Sequence, residues 1–436
     1  MLPFLMAIKP EYIVIISASL VIILSFIFNF ISRKTNIPSV LLLMLLGVGI
    51  QFLYPEAKTN KMLSNALIIV GKVGLILIVL EAALDLKLKK NKINLILKSF
   101  FMALLGLLGS AFAVGFVLQY FLNSTYFVAF VYAVPLSILS SAIIIPSVAT
   151  CAPKKKEFMI YESTFSDILG IILFQFLVSP NEFYSTSHLV LSVSTNIITT
   201  IIVAIAFGYL AVWGIQKLTS HVKLFLIIAV LMLVYAIGSV FHLSSLIIVL
   251  FFGLILNNTN IFFSGRLKNA INPDKITDIF KEFYVITLES AFVLRTFFFV
   301  IFGLSISLYS LFDYHVALKS LVIIGVLYLV RFIFLKLTLR KEGIFPELFI
   351  APRGLITILL FYTIPKAYQL EGFDEGVLLF TILLSSLIMT VSLIIGKNKN
   401  LNQVIHDYDD LQTTIESSLE DGHLGILDKP AKPNQT

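Results

Sequence analysis

YESTFSDILGIILF, residues 161–174, places two carboxylates, Glu162 and Asp167, inside a run that is otherwise apolar or small. Whether such a run is a soluble core helix or a membrane span decides the fold, and the rest of the chain answers. Of the 436 residues, 58% are hydrophobic and only 13% charged, with a mean hydropathy of +0.98. A soluble domain averages roughly 45–50% apolar and about 25% charged. The composition is that of an all-α polytopic membrane protein.

Apolar runs near the length a helix needs to cross the hydrocarbon recur between short polar breaks. Thirteen spans are predicted, at 11–31, 39–54, 62–84, 95–121, 126–150, 158–178, 188–216, 222–240, 243–256, 283–309, 315–338, 345–366 and 374–396. Those at 39–54 and 243–256 are short, which fits tilted, broken or partly interfacial segments. The first span is long and lacks a small-residue cleavage site, so no cleavable signal peptide is expected.

Basic loops stay cytoplasmic. Loops after odd-numbered spans hold twenty Lys and Arg, whereas the N-terminus and the even-numbered loops hold four: Lys9, Lys58, Lys61 and Lys366. This bias predicts an outside N-terminus and a cytoplasmic C-terminus, and a miscounted span would have scrambled it. The net charge of +7 follows from topology, because the basic residues are scattered over successive inner loops. A nucleic-acid partner is not expected. The lone Cys151 excludes an internal disulfide and a cysteine metal site. The six histidines lie near span ends or in the tail without ligand spacing, so no metal and no cofactor is expected. Residues 1–399 therefore read as the membrane domain and 400–436, polar and acidic, as a short cytosolic tail.

An ionisable side chain at the centre of a span costs about 2.5–3.5 kcal/mol on insertion scales, so it faces the bundle interior with a task or a partner. Lys98, Lys319 and Arg331 lie within about two turns of a span end. Their long stems predict snorkelling to the interface. Asp167 lies nine residues into its span, about 13 Å along the helix. That is near the midplane, beyond the reach of a short side chain. Helical spacing stacks Ser163 with Asp167 on one face and Glu162 with Ser166 on an adjacent one. The first face suits a small hard cation, and the second wants a positive partner. The plainer alternative is a buried polar cluster that ties helices together.

A positive partner is available in FPELFIAPRGLITILLFYTIP, residues 345–365, where Arg353 lies between Pro352 and Gly354. Proline removes a backbone donor and glycine weakens a helix, so this twelfth span is predicted to unwind there. The fifth span is interrupted too, by Pro135, Ser140, Ser141 and Pro146 in VPLSILSSAIIIPSVAT, residues 134–150. If spans 1–6 and 8–13 are two inverted-topology halves with span 7 as linker, the broken fifth and twelfth spans are equivalent. Matching broken helices mark a transporter's midplane site.

At these residues the chain resembles the monovalent cation/proton antiporter superfamily, the sodium/proton exchangers, and most closely its electroneutral branch. The resemblance runs over residues 11–396: IPSVLLLMLLGVGI is similar to the family's second span, LILIVLEAALDLKLKK to its third, ESTFSDILGIILF to its sixth, RTFFFVIFGLSI to its tenth and APRGLITILL to its twelfth. It implies that Asp167 binds the ion and the proton, with Ser163 and Glu81 adding oxygens beside it. It also implies that Glu162 and Arg353 form a pair holding the sixth and twelfth helices together, and that the protein is a homodimer whose moving core comprises spans 4–6 and 11–13.

Three departures bear on mechanism. Ser166 precedes Asp167 where relatives carry Asn or Asp, which favours one-for-one, electroneutral exchange. Ser140 and Ser141 replace the usual Thr-Asp at the fifth-helix crossing. Lys72 sits mid-span in the third helix, where it neutralises an acid such as Glu81, substitutes for a cation, or is a solvated pore-facing lysine. Arg295 is likewise either a structural clamp or a field-setting charge. The expected activity is antiport of Na⁺ or K⁺ against H⁺, serving pH homeostasis across a prokaryotic inner or plasma membrane, with lipid as surroundings. A cation channel and a non-transporting sensor are the alternatives. Proton-coupled flux in vesicles separates the three. No nucleophile, base and orienting group converge in the motifs, so an enzyme is not expected.

Overall fold

The structure is a computed structural model describing residues 10–35, 37–53, 61–88, 90–148, 151–178, 186–217, 223–241, 245–263, 272–305, 313–338, 343–370 and 373–396. The tail predicted over 400–436 lies outside the described residues. Among the described residues all regular structure is helical.

In chain order the helices are α1 (Pro10–Thr35), α2 (Ser39–Leu53), α3 (Lys61–Asp85), α4 (Ile93–Leu122), α5 (Tyr126–Ser137), α6 (Ser141–Ser147) and α7 (Pro153–Val178). They continue as α8 (Thr186–Ile215), α9 (Lys223–Val240), α10 (Ser245–Asn257), the single turn α11 (Thr259–Phe262), α12 (Pro273–Ser305), α13 (Tyr314–Thr338), α14 (Leu355–Tyr362) and α15 (Gly376–Gly396). Among the described residues each predicted span contains helix, and eight helical segments are long and apolar enough to cross a membrane unaided. The second, eighth and ninth spans are shorter apolar helices. Large apolar side chains such as Phe26, Phe116, Leu210 and Phe241 stand exposed on the outside, as a lipid-facing surface requires.

Two groups of helices form. In one, α4 packs on α5, α7 and α13, while α5 and α6 pack on α7. In the other, α12 packs on α2 and α3, and α10 on α3 and α8. They meet where α3 touches α14 and α7. The α2–α12 contact is backbone on backbone: a β-carbon on Gly47 would collide with the Val300 carbonyl, and one on Gly303 with that of Met44.

The broken spans differ from their predicted outlines. The fifth breaks at 138–140, where Ile138 and Ser140 are extended, and its two prolines lie within α5 and α6 rather than at the gap. The twelfth is more open than expected. Its N-terminal half, 345–354, is a turn followed by irregular chain, and only α14 is helical. The opened chain leaves carbonyls that must find donors, because the hydrocarbon supplies none.

Candidate functional site at the crossing of two broken helices

Three successive amides of the fifth-span gap each find a different acceptor. Leu139 N–H donates to Ser166 Oγ (3.0 Å), Ser140 N–H to the Pro352 carbonyl (3.0 Å), and Ser141 N–H to Asp167 Oδ2 (3.1 Å). The two opened chains therefore cross in contact, with α7 running beside the crossing. Gly354 permits the approach: a β-carbon there would overlap Ser140 Oγ and lie 2.7 Å from Ser140 Cβ.

Asp167 is 2% exposed, and its Oδ1 has no hydrogen-bond partner in the protein. One turn away Ser163, fully buried, donates to the Ile160 carbonyl (3.2 Å), leaving oxygen lone pairs free on the Asp167 face. Ser166 is committed to the backbone of the crossing. The contacts bring Asp167, Ser166, Ser140, Ser141, Pro352 and Gly354 together, with Ser163 one turn along α7.

The Glu162–Arg353 pair is not what forms. Glu162 receives a two-pronged bond from Arg331, Nη1 to Oε1 at 2.7 Å and Nη2 to Oε2 at 3.1 Å, with both side chains buried. Arg331 was expected to snorkel and is instead 5% exposed. The physical reason is the opened twelfth span. Arg331 also donates to the carbonyls of Glu347 (2.9 and 3.1 Å), Leu348 (3.2 Å) and Ile350 (3.3 Å), so one planar guanidinium serves a carboxylate and three orphaned carbonyls. Arg353 has the equivalent duty at the other gap, donating to Leu136 O (2.7 Å) and Ala351 O (2.8 Å). It shares with Glu162 and Arg331 the wall of a cavity of about 20 Å³.

A second tie escaped the sequence reading. Lys155, at the start of α7, bonds the buried carboxylate of Glu347 (2.8 Å) and the carbonyls of Phe345 (2.8 Å) and Gly343 (3.2 Å). Lys155 reads as one more inner-loop lysine and Glu347 as an acid near a span end. Nothing in their spacing, almost two hundred residues apart, signals the pair.

Glu81 is not free beside Asp167. Arg295 on α12 donates to its Oε2 at 2.5 Å, both side chains being mostly buried. Arg295 also lies within electrostatic range of Asp167. One turn further along α3, Asp85 accepts a bond from the Tyr284 hydroxyl (2.7 Å). Lys72 neutralises neither acid. It stands exposed at a cavity of about 30 Å³ lined by Leu67, Phe298, Leu359 and Tyr362. Nine residues, two and a half helical turns, separate it from Glu81. Among the described residues no three His, Cys, Asp or Glu side chains are grouped to hold a metal ion.

Broken helices crossing beside a buried, half-satisfied carboxylate define an ion-translocating membrane protein. The chain belongs to the sodium/hydrogen exchanger family: the family model described as "Sodium/hydrogen exchanger, transmembrane" matches residues 17–396. Its fold is similar to that of the sodium proton antiporter MjNhaP1 from Methanocaldococcus jannaschii. A structure of that protein at pH 8 has a TM-score of 0.66 and 20% identity, covering 89% of this chain and 99% of the other. An electron-microscopy map of the same antiporter has a TM-score of 0.62 at 20% identity, covering 98% and 100%. No curated protein matches in sequence. The chain is thus an integral multi-pass membrane protein and a cation/proton antiporter, not an enzyme; the ions of its family are Na⁺ and H⁺.

Proposed function

We propose that Asp167 is the single carboxylate on which a monovalent cation, Na⁺ or K⁺, and a proton alternate, one for one. The observation carrying this reading is the unpartnered Oδ1: a buried polar atom without a partner is costly, and a proton or a desolvated cation relieves it. Both ligands need the same oxygen, so they exclude each other. Crossing the barrier with neither leaves a bare charge in the hydrocarbon, which makes exchange obligatory. Ser163 adds an oxygen on the same face. Glu81 can add another only when its pair with Arg295 opens.

Ser166 and Ser141 bring no side-chain charge to the crossing, and Glu162 is spent on Arg331. One cation therefore moves against one proton without net charge. The lipid-embedded protein works as a homodimer oriented with its N-terminus outside and C-terminus cytoplasmic. Spans 1–6 and 8–13 act as inverted repeats joined by α8, and the group built on α4–α7 and α13–α15 moves against the rest. The test is proton flux in proteoliposomes after a Na⁺ or K⁺ jump. Exchange that is indifferent to an imposed membrane potential, without sustained current on solid-supported membranes, is expected. A steady potential-dependent current would overturn the stoichiometry.

A further inference from the structure

Beyond Asp85 the chain leaves α3 as a non-helical strap, residues 86–88, on the seam where the two helix groups meet. Its backbone atoms are shared unequally between the groups. On the α10 side, Asn257 Nδ2 donates to the Leu84 carbonyl (2.5 Å) and Asn258 Nδ2 to that of Leu86 (2.8 Å), while Leu88 N–H donates to Asn258 Oδ1 (2.7 Å). Asn258 is 4% exposed and gives a further bond to the Leu254 carbonyl (2.9 Å). These side-chain amides supply the partners that another turn of α3 would have provided. Close packing reinforces them, since a β-carbon on Gly253 of α10 would lie 2.7 Å from Ala83 Cβ of α3. On the α7 side, among the described residues, one hydrogen bond reaches the strap: the Tyr161 hydroxyl donates to the Lys87 carbonyl (3.0 Å). The rest of that contact is apolar, with Tyr161, Leu86 and Ile96 buried together and Phe165 and Leu254 packed against them.

Tyr161 and Asp167 ride on the same unbroken helix, about 9 Å apart along its axis. A displacement of Asp167 against α3 must therefore either pull the strap off α10 or part Tyr161 from Lys87. Three hydrogen bonds and a close helix contact oppose the first, and one hydrogen bond opposes the second. Parting the apolar contacts strands no polar group, and Lys87 is exposed, so water takes over its carbonyl when the tyrosine leaves. We propose that this seam is the parting plane of the exchanger: residues 84–88 stay with α10 throughout the cycle, racked by Asn257 and Asn258, and Tyr161 is the catch that releases α7. Tyr161 is thus a positioning residue, holding α7 and with it Asp167 in the latched arrangement. The inference rests on the antiport reading and its moving helix group, and adds the place where that movement breaks contact.

The experiment uses the full chain in proteoliposomes, with Cys151→Ser as parent and cysteine pairs from the apolar cluster joined by a short bis-methanethiosulfonate. Leu86→Cys with Tyr161→Cys spans the plane, and linking that pair should stop Na⁺-driven proton flux until a reductant frees it. Leu86→Cys with Leu254→Cys lies on one side of the plane, and linking that pair should leave the flux of the unlinked protein. Flux that survives the first link, or is lost with the second, overturns the proposal. Tyr161→Phe keeps the ring and removes only the catch. With spin labels on Lys87→Cys and Lys154→Cys, at the strap and the start of α7, pulsed electron resonance should show the more separated population favoured about fivefold over the same labels with Tyr161 intact, the equivalent of one net hydrogen bond. Unchanged distances, with or without a lowered melting temperature, mark a merely structural tyrosine and overturn the catch. A parent without exchange sinks the antiport reading instead, and the label distances then decide the plane by themselves.

Discussion

Glu162 and Asp167 sit five residues apart on α7, equally buried, and have opposite fates. Glu162 has both oxygens engaged by one guanidinium, whereas Asp167 has one oxygen on a backbone amide and one on nothing. A buried charge with a complete set of partners is part of the frame, since any change in its protonation would strand Arg331. A buried carboxylate left half-satisfied keeps an acceptor oxygen for a small ligand. The same helix thus carries a clamp and the carboxylate proposed as the site, and hydrogen-bond completeness distinguishes them where burial does not.

The sharpest way to break this contrast is Asp167→Asn. It keeps size and shape but cannot exchange a proton, so cation-driven proton movement in proteoliposomes should vanish while the detergent melting temperature stays near wild type. Wild-type exchange in that variant would remove Asp167 from the mechanism. Next in size comes the clamp. Glu162→Gln or Arg331→Ala strands a buried charge, which typically costs about 3–5 kcal/mol. A double-mutant cycle should show coupling of at least about 1 kcal/mol for Glu162 with Arg331 and markedly less for Glu162 with Arg353. The reverse ranking would restore the pair expected from the family resemblance.

Gly354→Ala tests the crossing between the two charges. Its β-carbon must push Ser140 aside, at about 1–3 kcal/mol by analogy with overpacked cores. Exchange should fall, and Ser140→Gly should recover part of it by removing both atoms in the way. An undiminished Gly354→Ala would mean that the crossing is loose. The smallest effect belongs to Lys155→Gln. Glu347 is buried, but Gln keeps a donor within reach of its carboxylate, so the loss should be about 1–2 kcal/mol in thermal unfolding, with the cation KM unchanged.

Much of this molecule was legible before its fold was known. The apolar periodicity marks thirteen spans, each of which contains helix among the described residues, and Pro352 with Gly354 marks the twelfth as broken. Position along the span separates Asp167 from snorkelling lysines. The i, i+4 rule puts Ser163 on the Asp167 face and Ser166 on the Glu162 face. These are local properties: hydrocarbon thickness sets segment length, and helix geometry sets which side chains share a face.

Partnership is another matter. On paper Arg331 reads as a snorkelling cation near a span end, and the motif favours Arg353 as the partner of Glu162. Tertiary structure chose Arg331 because the N-terminal half of the twelfth span is not helical, and three of its carbonyls draw in the guanidinium that also meets Glu162. The same cause explains Lys155 with Glu347. Arg295 reaches Glu81 because α12 packs along α3, while helical phase sends Lys72 to a different cavity. The sequence by itself determined a multi-pass helical protein with a carboxylate midway along one span and two other spans broken, because each follows from chain-local chemistry. Which cation answers which carboxylate depended on where opened backbone exposes its carbonyls, and only the packed helices decide that.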